Sequence, residues 1–244
     1  MQRVRDQLAK SGKPDFYLEF TERATNKEWP RRCQEWALST GADYILSIQD
    51  DTLQAPNFWP ALRAMLVALP DRLVLGLSAV NPKGPEIARQ GHRFYATRSH
   101  LVGWGHLMDR ETLREFLAWQ GANPERVDAE NEDQLINSFV GDTGRISWHP
   151  VPSILDHDVS VDSVYGNTDH THRRSTVTWH GYPAEALEDP AWWAHNGKPP
   201  LLDCPPPQAC SWCGYRPGEI TNGSGMNMCR LCLGELMLGA MGIK

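Results

Sequence analysis

No stretch of this 244-residue chain stays apolar over the length of a membrane span. The opening "MQRVRDQLAKSGKP" is polar and amphipathic and lacks the apolar centre of a secretion signal, so the expected location is the cytosol, with no membrane partner. Positive charge is not in excess either. With 24 Lys and Arg against 30 Asp and Glu, the net charge of -6 argues against a protein that coats nucleic acid by charge alone, while leaving room for a local basic patch. No internal repeat of solenoid length recurs. Cysteine is scarce before residue 200, where Cys33 stands alone in a helical pattern, which excludes a disulfide scaffold there.

What is present is an ordinary globular composition, 41% apolar, enough for one sizeable α/β core with or without a small added module. Strand-like and helix-like patterns alternate. "DFYLEF" (15–20) reads as a strand. "KEWPRRCQEWALST" reads as a helix with Pro30 near its start and Gly41 just past its end. "ADYILSIQ" is strand-like. In "NFWPALRAMLVALP", Phe58, Leu62, Met65, Leu66 and Leu69 share one helical face, and Pro70 ends it. "RLVLGLSAV" returns to strand; the glycine-broken "HLVGWGHLM" leads into the helix "RETLREFLAW", with Asp109 placed as its cap. "NEDQLINSFV" puts Leu135, Ile136 and Phe139 on one side, and "RISWHPVPSILDH" reads as a short strand entering a proline-marked loop. This order predicts a largely parallel or mixed sheet covered by helices.

Two adjacent carboxylates, Asp50 and Asp51, close the strand-like run "YILSIQ". In open α/β sheets ligands gather beyond the carboxyl ends of strands, and if this strand is central the pair lies at such an end. Ionised neighbours repel and lose hydration there, so a hard cation such as Mg²⁺ or Mn²⁺ is the expected counterweight; a pair of loop acids, one capping the next helix, is the simpler alternative.

Four segments, in order over residues 16–180, resemble A-type-fold glycosyltransferases of phage and bacterial origin. "YILSIQDDTLQAPNFWPAL" is similar to their DxD region, "LVGWGHLMDRETLREFLAW" to their acceptor-side segment, "NEDQLINSF" to the acidic pair opening the following helix, and "HPVPSILDHDVSVDSVYGN" to a late loop. The resemblance implies a Rossmann-like mixed sheet flanked by helices, and a sugar moved from a nucleotide-diphosphate sugar to an acceptor hydroxyl. It implies that Asp51 ligates the metal directly, that Asp50 touches the ribose or a metal-bound water, and that His157 is a further ligand, with Asp156 as substitute. For an inverting reaction it points to Asp133 as base and Glu132 as substitute, although acids in a first helical turn also simply complement the helix dipole. Arg31 falls where related enzymes carry a basic residue beside the donor; Arg32, adjacent on the helix, cannot face the same site. Trp104, between two glycines, offers a flat surface to a sugar or base, or fills the core of a kinked strand. "HTHRRS" (170–175) is either a phosphate-binding or a solvated basic loop. A nucleotide-binding domain of this kind normally begins with a strand, so the helix-like opening suggests either that a first strand is missing or that the fold has shed it.

The tail "CSWCGYRPGEITNGSGMNMCRLC" is the most specific signal. Cys210 and Cys213 form one Cys-x-x-Cys pair and Cys229 and Cys232 another, 15 residues apart, the spacing of a tetrahedral four-thiolate zinc site. A glycine follows each second cysteine, as a tight loop round a metal requires. No open coordination position is evident, so the Zn²⁺ is read as structural, supplying folding energy that a segment this small lacks. Three regions are therefore expected: a catalytic domain over 1–185, a Pro- and Trp-rich linker over 186–207, and a zinc ribbon over 208–244.

Compact transferase plus zinc ribbon suggests hydroxymethylated pyrimidine in DNA, as on phage genomes, as acceptor; glycan, lipid and protein acceptors stay open, as do sugar, nucleotide and stereochemistry. One alternative is a zinc-ribbon nucleic-acid-binding or scaffold protein whose α/β domain has lost activity. Another is a phosphohydrolase using Asp50, Asp51 and His157, for which a second ligand cluster is lacking.

Overall fold

The computed structural model describes residues 28–49, 52–70, 74–98, 105–158, 175–194 and 199–202, together with the backbone of 220–221 and 227–228. The chain divides into two compact units, Met1–Leu202 and Asp203–Lys244.

In the first unit the described elements run α1 (Glu28–Ser39), β1 (Tyr44–Ile48), β2 (Thr52–Gln54), α2 (Phe58–Ala68), β3 (Val74–Gly76), α3 (Gly84–Arg89), β4 (Phe94–Thr97) and β5 (Gly105–Asp109), then α4 (Arg110–Ala122), α5 (Pro124–Ala129) and α6 (Glu132–Thr143), then β6 (Ser147–Pro150), β7 (Leu155–His157), α7 (Ala184–Leu187), α8 (Pro190–Trp193) and β8 (Leu201–Leu202). Six strands form a mixed sheet in the order β1-β5-β3-β6-β4-β8, and β2 pairs with β7 in a separate two-stranded sheet. The β3/β6 and β4/β8 pairings are parallel and the others antiparallel.

Strand periodicity divides the core between the two faces. Tyr44, Leu46 and Ile48 of β1, Leu75 of β3 and Leu107 of β5 pack with Phe58, Leu62 and Met65 of α2. Their sequence neighbours Ile45, Val74 and Met108 turn the other way, onto Leu113 and Phe116 of α4 and Ile136, Phe139 and Val140 of α6. Fully burying a side chain such as Phe116 or Phe139 stabilises the fold by about 1.5–3 kcal/mol. The expected helix punctuation is present. Gly41, past α1, adopts φ 79°, and Asp109 caps α4 by accepting the Thr112 N–H.

Two expectations change. Among the described residues β1 has a strand partner on one side only, β5, so a central position is met on that side alone; the candidate strand 15–20 lies outside the described residues. The expected linker over 186–207 is, in its described part, built into the first unit. Trp193 is 1% exposed and Leu187 is equally buried; the Trp193 indole N–H donates to the Leu187 carbonyl at 2.7 Å and its ring packs on Phe94. Leu201 and Leu202 then pair with Ala96 and Thr97 as the last strand of the sheet. Proline and tryptophan density was a poor guide here because Trp193 is a buried anchor and Pro190 starts a helix.

In the second unit, β9 (Ile220–Thr221) pairs antiparallel with β10 (Asn227–Met228). Cys210, Cys213, Cys229 and Cys232 lie outside the described residues.

Candidate functional site

Two groups of residues assemble where the sheet meets its loops. The first is built by β2 and β7. Their register sets Thr52 opposite His157, Leu53 opposite Asp156 and Gln54 opposite Leu155. Thr52 directly follows the aspartate pair in sequence, and its hydroxyl donates to the Gln49 carbonyl at 2.9 Å, so the two residues flanking Asp50 and Asp51 are tied to each other. Asp50 and Asp51 themselves, like Trp104 and most of "HTHRRS", lie outside the described residues.

On β7, His157 is 1% exposed, and Asp156 and Asp158 are also buried. Asp156 Oδ1 accepts the backbone N–H of His157 and that of Ser175, both at 2.9 Å, while the Ser175 hydroxyl donates to the Leu155 carbonyl. Asp156 therefore clamps the strand to the returning chain through Oδ1. Behind it, Leu155 donates its N–H to the Leu77 carbonyl and Ser153 donates to Val177, fixing β7 to the main sheet.

The second group surrounds the start of α6. Asn131 and Gln134 form a reciprocal capping box, each side chain accepting the other's backbone N–H. This places Glu132 and Asp133 in the first turn, where the helix dipole favours their charged forms. Burial outweighs the dipole. Loss of hydration pushes Glu132 up to about 7, against a lowering contribution from the Gln34 hydrogen bond. Asp133 is pushed up to about 7 by burial first and by the Glu132 charge second. Carboxyls poised near neutrality are suited to proton transfer.

Glu132 Oε1 accepts a hydrogen bond from the Gln34 amide at 2.9 Å and stands 3.7 Å from His106 Nε2. His106 is 5% exposed, and burial holds it down to about 4, so it is neutral at physiological pH. Sheet register explains its aim: His106 pairs with Ser47 on β1 and with Gly76 on β3, sharing the α6-facing side with Met108, and the glycine beside it leaves space. The next residue towards the N-terminus, Gly105, faces the opposite side, where a Cβ would overlap Leu155 Cδ1 and come within 3.3 Å of the Ser47 carbonyl. Consecutive residues of β5 thus serve the β7 group and the acid pair.

No family model matches the chain, and no curated protein does.

Arg31, expected beside a donor, pairs with Glu35 one turn along α1 at 2.9 Å and lines a shallow depression with Gln34, Glu130 and Glu132; Arg32 is exposed. Among the described residues no group of three His, Cys, Asp or Glu is arranged to hold a metal. His157 and Asp158 put a buried imidazole and a buried carboxylate at the end of β7, and a cation held by them would need further ligands, for which Asp50 and Asp51 are the candidates named from the sequence. That mixed carboxylate and imidazole donor set fits Mn²⁺, and with more oxygen ligands Mg²⁺. Sequence reasoning assigned no role to His106 or Gln34. A histidine inside the apolar run "HLM" was a signal for the first; nothing in a helical glutamine marked the second.

Proposed function

We propose that the chain is a metal-dependent glycosyltransferase of the A-type fold, carrying a four-thiolate zinc ribbon, which moves a sugar from a nucleotide-diphosphate sugar to an acceptor hydroxyl. The observation that carries this reading is the β2/β7 register, which sets a buried His157 opposite the residue adjoining Asp51. The six-stranded mixed sheet flanked by helices supports it, as does an acid pair opening α6 with proton affinities near neutrality.

In this reading Asp51 and His157 hold Mn²⁺ or Mg²⁺, with Asp50 against the ribose or a metal-bound water. When bound there, such an ion would supply charge neutralisation for the departing diphosphate. Asp156 keeps His157 in place by clamping β7. Trp104 offers its face to the sugar or base, and Arg31 can turn from Glu35 towards donor phosphate. In an inverting transfer the acceptor oxygen bonds to the anomeric carbon as the bond to the diphosphate oxygen breaks, and the hydroxyl proton passes to the Asp133 carboxylate. Cys210, Cys213, Cys229 and Cys232 bind structural Zn²⁺; the β9/β10 hairpin between the two cysteine pairs in sequence supports a ribbon.

The acceptor we propose is a hydroxymethylated pyrimidine in DNA. The test is a screen of nucleotide sugars with Mn²⁺ and either hydroxymethylated or ordinary DNA, read by mass. A gain of one hexose or pentose on the modified DNA alone is the expected result. Absence of sugar transfer and of nucleoside diphosphate release with every donor overturns the reading and favours the scaffold alternative.

A further inference from the structure

We propose that Gln34 and His106 are positioning residues that lock Glu132 in place, leaving Asp133 as the member of the pair that exchanges the proton. The catalytic meaning of this assignment rests on the transferase reading; the geometry does not.

Glu132 Oε1 is approached by two groups from separate elements, the Gln34 amide of α1 at 2.9 Å and His106 Nε2 of β5 at 3.7 Å. Both are buried, at 5% exposure each, so neither is free to leave with solvent. The amide is a neutral donor that fixes the carboxylate without cancelling its charge, and the imidazole, beyond hydrogen-bond reach at 3.7 Å, packs beside the same oxygen as a buried polar neighbour. Asp133, one residue on, has no hydrogen bond or ion pair among the described residues, and it is raised by burial first and by the charge of Glu132 second. One carboxyl is anchored and the other is available, which is the division a positioned base requires.

The surrounding charges do not blur it. Arg31 of α1 pairs with Glu35. Glu130, just before the capping residue, lies 3.9 Å from Arg126. His106 is the group facing the pair from β5. Because Glu132 and Asp133 interact, their protons come off as a coupled pair with two apparent midpoints.

The experiment is carboxyl ¹³C NMR titration of the full chain without donor, with signals assigned by E132Q and D133N. Q34L removes the hydrogen-bond donor to ionised Glu132 and is expected to raise its midpoint by about one pH unit, and H106L, which replaces the polar imidazole beside it with an apolar side chain, is expected to raise it in the same direction by less. H106Q, which can present an amide N–H at similar reach, restores most of the shift. Should Q34L fail to fold, Q34N keeps the amide and shortens its reach. In turnover, D133N is expected to lose at least about 100-fold and E132Q less than about tenfold, while Q34L moves the limb of the kcat pH profile that follows Glu132. A Glu132 midpoint indifferent to Q34L, Q34N and H106L overturns the inference. So does E132Q losing as much turnover as D133N while Asp133 still titrates as before. A wild type without turnover but with the expected titration shifts would instead sink the transferase reading and leave the anchoring intact.

Discussion

Replacing both carboxyls of the acid pair, in E132Q/D133N, isolates their contribution to the pH dependence of stability. In the folded chain Glu132 is raised from 4.5 to about 7 and Asp133 from 3.8 to about 7, each chiefly by burial. The unfolded chain therefore releases these protons from about pH 4 upward while the folded chain keeps them until about pH 7. Stability falls as pH rises through this window and stays lost above it. Taken singly, each carboxyl corresponds to about 3–4 kcal/mol. The two do not add, because part of the rise in Asp133 is the charge of Glu132, and the Glu132 side chain is 23% exposed and so partly screened. A combined loss of about 3 kcal/mol between pH 4.5 and pH 8 is expected. The assay is urea unfolding of the first unit, followed by tryptophan fluorescence, at several pH values for both proteins. Two other buried groups slope the opposite way. His106 and His149 are both held down to about 4 by burial, so they lose stability as pH falls below about 6.5. His149 is unchanged in the variant and cancels in the difference, while His106, 3.7 Å from Glu132 Oε1, is coupled to the substitution and is separated by adding H106L to both proteins. A wild-type-minus-variant difference that is flat to within about 1 kcal/mol over this range refutes the reasoning.

Trp193→Ala removes a buried indole, its hydrogen bond to Leu187 and its packing on Phe94; unfolding should show a loss of about 3–5 kcal/mol, whereas a true linker residue would show none. Asp156→Ala leaves the buried N–H groups of His157 and Ser175 without their acceptor, and a loss of about 3 kcal/mol is expected by the same measurement, with faster proteolysis near Ser175. Gly105→Ala forces a Cβ onto Leu155 and should cost about 1–3 kcal/mol; in a double-mutant cycle with Leu155→Ala the two losses should be less than additive, and full additivity would remove β7 from its place against β5. Purified protein should carry equimolar zinc by mass spectrometry, and any one of C210S, C213S, C229S and C232S should lose most of it; an unchanged content rules out the four-thiolate site.

Local chemistry made much of this architecture readable from residue order. Asp109 and Asn131 cap helices because a short side-chain oxygen ahead of an apolar periodic run satisfies orphan N–H groups. Leu135, Ile136 and Phe139 face the core because their spacing follows the helical turn. The acid pair could be named as a candidate from its place behind such a cap, but its proton affinity could not, since that depends on burial by α1 and β5, far away in sequence. Trp193 misled for the same reason: a proline-rich stretch looks like a linker until its side chains find a cavity to fill.

What the residue order determined alone is the broad alternation of strands and helices, the cap of α4, the aspartate pair following an apolar run and the paired cysteines, because capping, periodicity and ligand spacing act within a few residues; the short helices α3 and α5 were not legible in it. Tertiary structure decided that His157 faces the residue beside Asp51, that Asp156 is a clamp, and that Gln34 and His106 converge on Glu132. Those facts depend on strand register and on the loss of water between elements up to about a hundred residues apart, and neither is encoded in any short window of the chain.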